Sequence, residues 1–156
     1  EEVWGRVPGR DAESVHLALW PQAEGPEPDP KWERLWNVRT EVYRELEKLR
    51  AAGKIGKSLE AKVTLHSADP ETRKALRETD LTSLFIVSEA SVADAPLGAE
   101  TGGGKGLTLL AERSSHPKCS RCWNLRADVG RDPGHPALCG RCVGVMEILN
   151  PTDFVK

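Results

Sequence analysis

The sequence predicts an α+β fold in which a long helix packs on a small β-α-β-β sheet and a four-cysteine zinc-binding module follows. The helix is indicated by apolar residues at helical spacing within 31–52, and the sheet by strict alternation over 59–66. The module is indicated by two CxxC pairs within 119–142. We expect three parts: a linker or strap over 1–30, a helix plus β-α-β-β junction domain over 31–112, and the cysteine module over 113–156.

Composition limits the classes of function. Of the 156 residues, 38% are hydrophobic and 29% charged, which is typical of a globular protein. The formal net charge is −2, so any binding to nucleic acid has to come from a local basic patch. No run of apolar residues is long enough for a membrane helix, and cysteines in such pairs are expected to be reduced, which favours the cytoplasm. Because the chain starts at Glu1 without a methionine, we expect it to be a piece of a longer protein.

The cysteine pattern predicts a metal site. All four cysteines of the chain lie in the pattern C-x2-C-x16-C-x2-C, formed by Cys119, Cys122, Cys139 and Cys142. Two residues between cysteines allow a tight turn to direct both sulfurs at one ion, and two such turns complete the tetrahedron that Zn²⁺ prefers. Four cysteine ligands leave no position for water, so the zinc is expected to be structural.

Other uses of the cysteines fit less well. Two disulfides would need an oxidising compartment, and no secretory segment precedes them. A redox CxxC motif would need one pair only. His116 and His135 are spare potential ligands that a complete set of four cysteines does not require.

The first thirty residues are rich in glycine and proline, which predicts an extended linker. Within 15–19 apolar residues alternate with other residues, so this piece is expected to be a short edge strand or a strap on another domain. Asp29 and Pro30 then provide an N-cap and a first-turn proline for the long helix, which Gly53 ends. On that helix Trp32 and Trp36 are expected in the core, with a nucleobase platform as the alternative.

The remaining pattern predicts the sheet. Residues 59–66 form a half-buried strand, 70–79 a charged surface helix, and 84–87 a central strand because four apolar residues follow one another. A glycine-rich loop over 94–106 precedes a third strand at 107–110, and 143–149 forms a short helix or strap.

One short segment carries two lysines around a glycine. Lys54 and Lys57 flank Gly56 without the spacing of a phosphate-binding loop. This turn is therefore expected to be solvated.

The cysteine module carries a modest basic patch. Residues 113–141 contain six basic residues and two aspartates. Four thiolates with one Zn²⁺ reduce the resulting positive charge to about +2. Trp123, directly after a cysteine, allows two interpretations: stacking on an unpaired base, or packing under the zinc turn.

Several segments together resemble one family. They are the Gly-x-x-Pro-Gly at 5–9, SVHLALWP at 14–21, 36–42, RAAGKIGKSLEA at 50–61, LTSLFIVS at 81–88, KCSRCW at 118–123, the His-Pro at 135–136, and 139–143. In this order they resemble the C-terminal end of bacterial isoleucyl-tRNA synthetases, class I enzymes that use ATP to join isoleucine to its tRNA. The resemblance covers nearly the whole chain, and the loop over 94–106 matches no motif of the family.

The resemblance implies a zinc-containing tail that lies toward the anticodon end of isoleucine tRNA and supports charging by the rest of the synthetase chain. It implies that 1–30 connects to the anticodon-binding domain and that the zinc ligands are the four cysteines. Contacts with tRNA are expected from Arg121, Trp123, Arg126, Arg131 and Arg141.

The catalytic signatures of the family do not carry over to this chain. There is no HIGH motif, and the segment Lys54–Ser58 only mimics a KMSKS loop. No catalytic residue is therefore expected here, and ATP binding is expected elsewhere in the parent enzyme.

Two other classes of protein remain as alternatives. Formamidopyrimidine-DNA glycosylases, which repair DNA, end in a zinc finger of similar spacing, but they place a basic hairpin between the cysteine pairs. Here Pro133, Gly134 and Pro136 interrupt such a hairpin. The second alternative is a zinc-stapled protein-interaction module with no role in nucleic-acid binding.

Overall fold

The computed structural model describes residues 1–20, 22, 25, 27, 29–98 and 106–149. Short 3-10 turns lie at Trp4–Arg6 and Ser58–Glu60. The longer elements are, in order, α1 (Pro30–Ala51), β1 (Ala61–Ser67), α2 (Pro70–Arg77), α3 (Leu81–Phe85), β2 (Glu89–Val92), β3 (Leu107–Arg113) and α4 (Gly140–Ile148). In this part of the chain no helix is both long and apolar enough to cross a membrane.

The three strands form one mixed sheet in the order β2-β1-β3. β1 pairs in parallel with β2, from Lys62 opposite Glu89 to Leu65 opposite Val92. It pairs antiparallel with β3 over the whole length of both strands. The parallel pair needs a crossover, and α2 and α3 provide it. The predicted α+β class, with a long helix and a three-stranded sheet, is confirmed.

The core lies between α1 and the sheet. α1 begins where the sequence predicts, because Pro30 follows Asp29, whose carboxylate accepts the backbone N–H of Lys31 at 2.8 Å. One stripe of α1 is buried against the sheet and the crossover helices. The buried apolar side chains of this core are Leu35, Val38, Val42, Leu46, Ile55, Ala61, Val63, Leu65, Ala75, Leu76, Leu81, Phe85, Val87 and Leu107.

The predicted strand at 84–87 is wrong. The run contains the end of α3 and a left-handed residue, Ile86 with φ 55°, and β2 starts only at Glu89. The cause is Asp80, whose carboxylate accepts the backbone N–H groups of Thr82 and Ser83 and so starts a helix. The apolar run therefore forms the end of a helix, where Ile86 is half exposed. It does not form a strand covered on both faces.

Three other expectations need correction or stay open. Trp32 and Trp36 are not in the core, since they are 48% and 51% exposed on a flank of α1 outside the buried stripe. The alternating segment around Leu17 forms no strand within the described residues, and Leu17 and Leu19 are exposed. The three consecutive glycines of the 94–106 loop lie outside the described residues.

Replacing Asp80 tests whether its cap holds α3. Hydrogen bonds from the side chains of Ser83 and Thr82 lower the pKa of Asp80 to about 2. The stabilisation by the carboxylate is therefore fully present above about pH 4, the unfolded pKa, and is lost as the pH falls through about 2. Asp80→Ala is expected to lower the free energy of unfolding at pH 7 by about 1 kcal/mol, measured by urea denaturation.

The difference between Asp80→Ala and the parent chain should shrink as the pH falls from about 4 toward about 2. Asp80→Asn is the matched control, because asparagine caps a helix without titrating. Equal stability of the parent chain and Asp80→Ala at neutral pH would contradict the proposed role of the cap.

Candidate metal centre and nucleic-acid interface

The four cysteines converge at one point at the start of α4. Their sulfur atoms all lie within 4.8 Å of one another. Among the described residues, these cysteines form the cluster of three or more His, Cys, Asp or Glu side chains that could hold a metal ion. The sulfurs of Cys122 and Cys139 are 3.8 Å apart. A tetrahedron with Zn–S bonds of about 2.3 Å has edges of about 3.8 Å, so this spacing fits one zinc ion. None of the four cysteines is in a disulfide.

The first pair lies on a knuckle, residues 118–125, that backbone hydrogen bonds close. The N–H of Cys119 donates to the carbonyl of Asn124 at 2.9 Å, and the N–H of Trp123 donates to the carbonyl of Cys119 at 2.9 Å. Lys118 and Leu125 form an antiparallel bridge at the two ends of the knuckle. This closure directs the sulfurs of both cysteines to the same side of the chain.

The second pair lies at the start of α4. Cys139 is the N-cap residue of this helix and Cys142 is in its first turn, so the positive end of the helix dipole faces both sulfurs. Asp128 accepts the N–H of Gly140 at 2.9 Å and supplies the missing side-chain cap. A Cβ at position 140 would lie 3.0 Å from the carboxylate of Asp128, so glycine permits this close approach.

The thiols of Cys119 and Cys139 differ in pKa. Burial raises the pKa of Cys119, but hydrogen bonds from the backbone N–H groups of Cys122, Cys139 and Arg121 outweigh it and lower the pKa to about 6. For Cys139 burial dominates, and with the neighbouring thiols it raises the pKa to about 12. Backbone N–H groups therefore stabilise the thiolate form of Cys119, whereas burial disfavours the thiolate form of Cys139. A divalent cation bound to both sulfurs would stabilise both thiolates.

The arginines expected to contact tRNA lie around this centre in different settings. Arg121 donates to the sulfur of Cys142 at 3.7 Å, so it faces the metal centre as well as solvent. Arg126 is half-buried, and its Nε atom has no hydrogen-bond partner in the described part of the chain. Arg131 and Arg141 are exposed. Within the described residues none of these four arginines forms a salt bridge.

Trp123 is the exposed aromatic side chain of the knuckle. It is 54% exposed, and its backbone is left-handed with φ 64°, a conformation that costs a non-glycine residue energy and is common at functional sites. The ammonium groups of Lys57 and Lys118 lie 5.1 Å and 5.7 Å from the centroid of its ring. Packing of Trp123 under the zinc turn does not occur, and its ring remains accessible.

A polar joint connects the knuckle to the sheet through Ser88. The Ser88 hydroxyl donates to the carbonyl of Leu59 at 2.5 Å and accepts the buried N–H of Leu125 at 2.7 Å. One backbone group of the knuckle is therefore satisfied by a side chain of the junction domain.

Glu89 adds a second contact to this joint. Its carboxylate accepts the hydroxyl of Ser114 at 2.5 Å and lies 3.4 Å from Nε2 of His116. His116 therefore contacts the joint, consistent with its omission from the predicted ligand set.

Sequence reasoning misses two contributors to this site. Lys57 lies over Trp123, although the sequence predicts only a solvated turn around it. Ser88 directly follows the run that predicts a strand, and nothing in the sequence signals that its hydroxyl binds Leu125.

Comparison with known proteins matches two segments of the chain. Residues 1–65 match the family described as "Anticodon-binding domain of tRNA ligase". Residues 117–144, which include all four cysteines and are called the finger below, match the family described as "Zinc finger found in FPG and IleRS". Together with the sulfur cluster, this second match indicates one structural zinc ion.

Curated relatives extend the match across the chain. The chain is 41% identical to the isoleucine–tRNA ligase of Ectopseudomonas mendocina (strain ymp) and 40% identical to that of Pseudomonas aeruginosa (strain LESB58), each over 157 residues. It is 38% identical over 148 residues to the enzyme of Brachyspira hyodysenteriae. The two pseudomonad alignments cover 94% of this chain but 17% of the relative. The Brachyspira alignment covers 91% of this chain and 16% of the relative. The chain therefore spans less than a fifth of the length of these relatives.

Removing the Ser88 hydroxyl tests the joint. Ser88→Ala leaves the buried N–H of Leu125 without an acceptor, so the free energy of unfolding is expected to fall by about 1–3 kcal/mol. In native-state hydrogen exchange, the amides near Leu125 should lose protection more than those of β1 and β3. Ser91→Ala is the matched control, because that exposed hydroxyl makes only a 3.3 Å contact with Thr64. A uniform loss of protection across the sheet would show that Ser88 supports the core and not the joint.

Proposed function

We propose, because this chain is a segment of the isoleucine–tRNA ligase family, that it serves as the tRNA-binding C-terminal region of such a synthetase. Its task is to hold the anticodon side of isoleucine tRNA while the remainder of the synthetase chain charges that tRNA with isoleucine in an ATP-dependent reaction. This segment supplies no catalytic residue and works in the cytoplasm.

The metal assignment is part of this proposal. Cys119, Cys122, Cys139 and Cys142 hold one Zn²⁺, supported by sulfur atoms that all lie within 4.8 Å of one another and by the finger family match. When bound, the ion supplies no reaction chemistry, since four thiolates close its coordination shell, and it fixes the knuckle against α4. The chain's own residues then present the basic surface.

The observation that carries the proposed tRNA contact is which charged side chains of the finger have partners. The carboxylates of its two central aspartates accept hydrogen bonds from the backbone, Asp128 from the N–H of Gly140 and Asp132 from the N–H of His135. The neighbouring arginines are left without carboxylate partners in the described residues, unlike Arg44, which forms a salt bridge on α1. Unpaired guanidinium groups on an exposed surface are suited to phosphate.

The form of RNA is suggested by Trp123. An exposed indole beside cations fits an unstacked base with its phosphates, as in single-stranded loops, better than it fits the bases inside a duplex. The anticodon loop is such a single-stranded region. We assign the phosphate contacts to Arg121, Arg126, Arg131 and Arg141, and base stacking to Trp123.

The alternatives receive less support. The finger family includes both formamidopyrimidine-DNA glycosylases and isoleucyl-tRNA synthetases by its description, so the finger alone does not separate them. The anticodon-binding match over 1–65 and the 94% coverage by isoleucine–tRNA ligases favour the synthetase. A pure interaction module would not need an exposed tryptophan with two lysines at its ring.

Binding measurements with the zinc-loaded chain test the proposal. Isoleucine tRNA should bind with an affinity that falls with salt at a log–log slope of about −2 to −4, because roughly two to four phosphates are neutralised. Arg131→Ala and Arg141→Ala should each weaken binding and make the slope less steep by about one. Fluorescence anisotropy of labelled tRNA gives both quantities.

Arg44→Ala is the matched control, because Arg44 lies on α1 and is already paired with Glu41. A DNA duplex of equal charge should bind more weakly than the tRNA, and a stronger interaction with the duplex would favour the repair-enzyme class. If salt-dependent binding of tRNA is not detected, the proposal is overturned. The protein-interaction module is then the alternative that remains.

A further inference from the structure

The loop between α1 and β1 presents Lys57 from a fixed backbone. Ile55 is buried in the core, and the N–H of Gly56 donates to the carboxylate of Glu60 at 3.0 Å. Arg113 donates to the same carboxylate at 2.6 Å. The loop is therefore anchored on both sides of Lys57, while the Lys57 side chain itself is exposed.

Lys57 meets the finger at Trp123. Its ammonium group and that of Lys118 approach the same ring, although one lysine comes from the α1–β1 loop and the other from the finger. Neither lysine forms a salt bridge in the part of the chain that the structure describes. The nearby carboxylate of Glu60 accepts hydrogen bonds from the N–H of Gly56 and from Arg113, and these together with the charge of Lys118 lower its pKa, although Lys118 makes no ion pair with it.

The two ammonium groups and the exposed ring form a small surface that is both cationic and aromatic. Cation–π attraction at a solvent-exposed site is weak, so contact with the indole leaves most of the attraction of each lysine for an anion in place. An anion at this surface would be attracted by both ammonium groups. Next to an exposed aromatic ring, the anion that fits is a phosphate of an RNA strand.

We propose that Lys57 and Lys118 form a phosphate-binding pair beside Trp123, so that the RNA surface of the finger continues onto the α1–β1 loop. The ligand is the phosphodiester backbone of single-stranded RNA. This inference rests on the proposed tRNA function, but it adds a second structural element and two residues outside the arginine set. RNA then bridges the finger and the α+β domain directly.

The test uses the whole zinc-loaded chain with the anticodon stem–loop of isoleucine tRNA as the probe. Lys57→Met and Lys118→Met keep much of the side-chain length and remove the charge. Each should make the log–log salt slope less steep by about one, and the double variant by about two. Lys57→Arg should retain the parent slope. Lys74→Met, on an exposed face of α2, is the matched control and should change nothing.

The outcomes separate this inference from the proposed function. If the arginine variants reduce the slope while Lys57→Met matches Lys74→Met, the pair is overturned and the tRNA function stands. If Lys57→Met lowers affinity at an unchanged slope together with a lower melting temperature, Lys57 only supports Trp123 structurally and the pair is again overturned. If the parent chain shows no salt-dependent binding of the stem–loop, both proposals fail together.

Discussion

Four sulfur atoms within 4.8 Å of one another impose the constraint on which the finger depends. As thiolates they would repel strongly in a partly buried site, and as thiols they would offer only weak hydrogen bonds. The finger has few apolar side chains to hold it: besides the buried Leu125 and Val143, its cluster of buried residues consists of cysteines with Val129 and Leu138 packed beside them. One divalent cation removes the repulsion and replaces a missing apolar core, so binding of the metal and folding of this module are the same event.

Fixing the sulfurs also fixes the polar surface around them. The helix α4 follows its N-cap residue Cys139, and Asp128 completes the cap, which takes one carboxylate away from the arginines. The knuckle turn places Trp123 in a left-handed conformation with its ring in solvent. Metal geometry, backbone capping and the free basic groups are therefore linked, and a surface suited to RNA results from how the finger satisfies its own backbone.

Much of the fold could be predicted because its signals are local. Each of two Asp-Pro pairs gives an N-cap with a first-turn proline, and the helices begin at Pro30 and Pro70. The spacing of the cysteines likewise predicts that their sulfurs meet. The second strand in chain order, β2, is misplaced in the sequence prediction because a short apolar run fits a strand or a buried helix equally well, and the Asp80 cap decides between them. Trp32 and Trp36 follow helical spacing, but that spacing does not say which face of α1 meets the sheet.

Contacts between distant segments could not be predicted from the sequence. Lys57 and Trp123 lie on different elements, and their contact depends on the position of the finger relative to the sheet, which the Ser88 and Glu89 contacts determine. Periodicity carries no information on such a position. The individual phosphate and base contacts are of the same kind, since they depend on which cations remain unpaired after folding.

X-ray absorption at the zinc edge tests the central claim most directly. For the purified, reduced chain, one zinc per chain surrounded by four sulfurs at about 2.3 Å, with no nitrogen ligand, is the expected result. Cys122→Ser should then show three sulfurs or lose the metal. A parent spectrum with one or more imidazole ligands, or freshly purified protein without zinc, would contradict the account, because the finger would then be held by something other than its four cysteines.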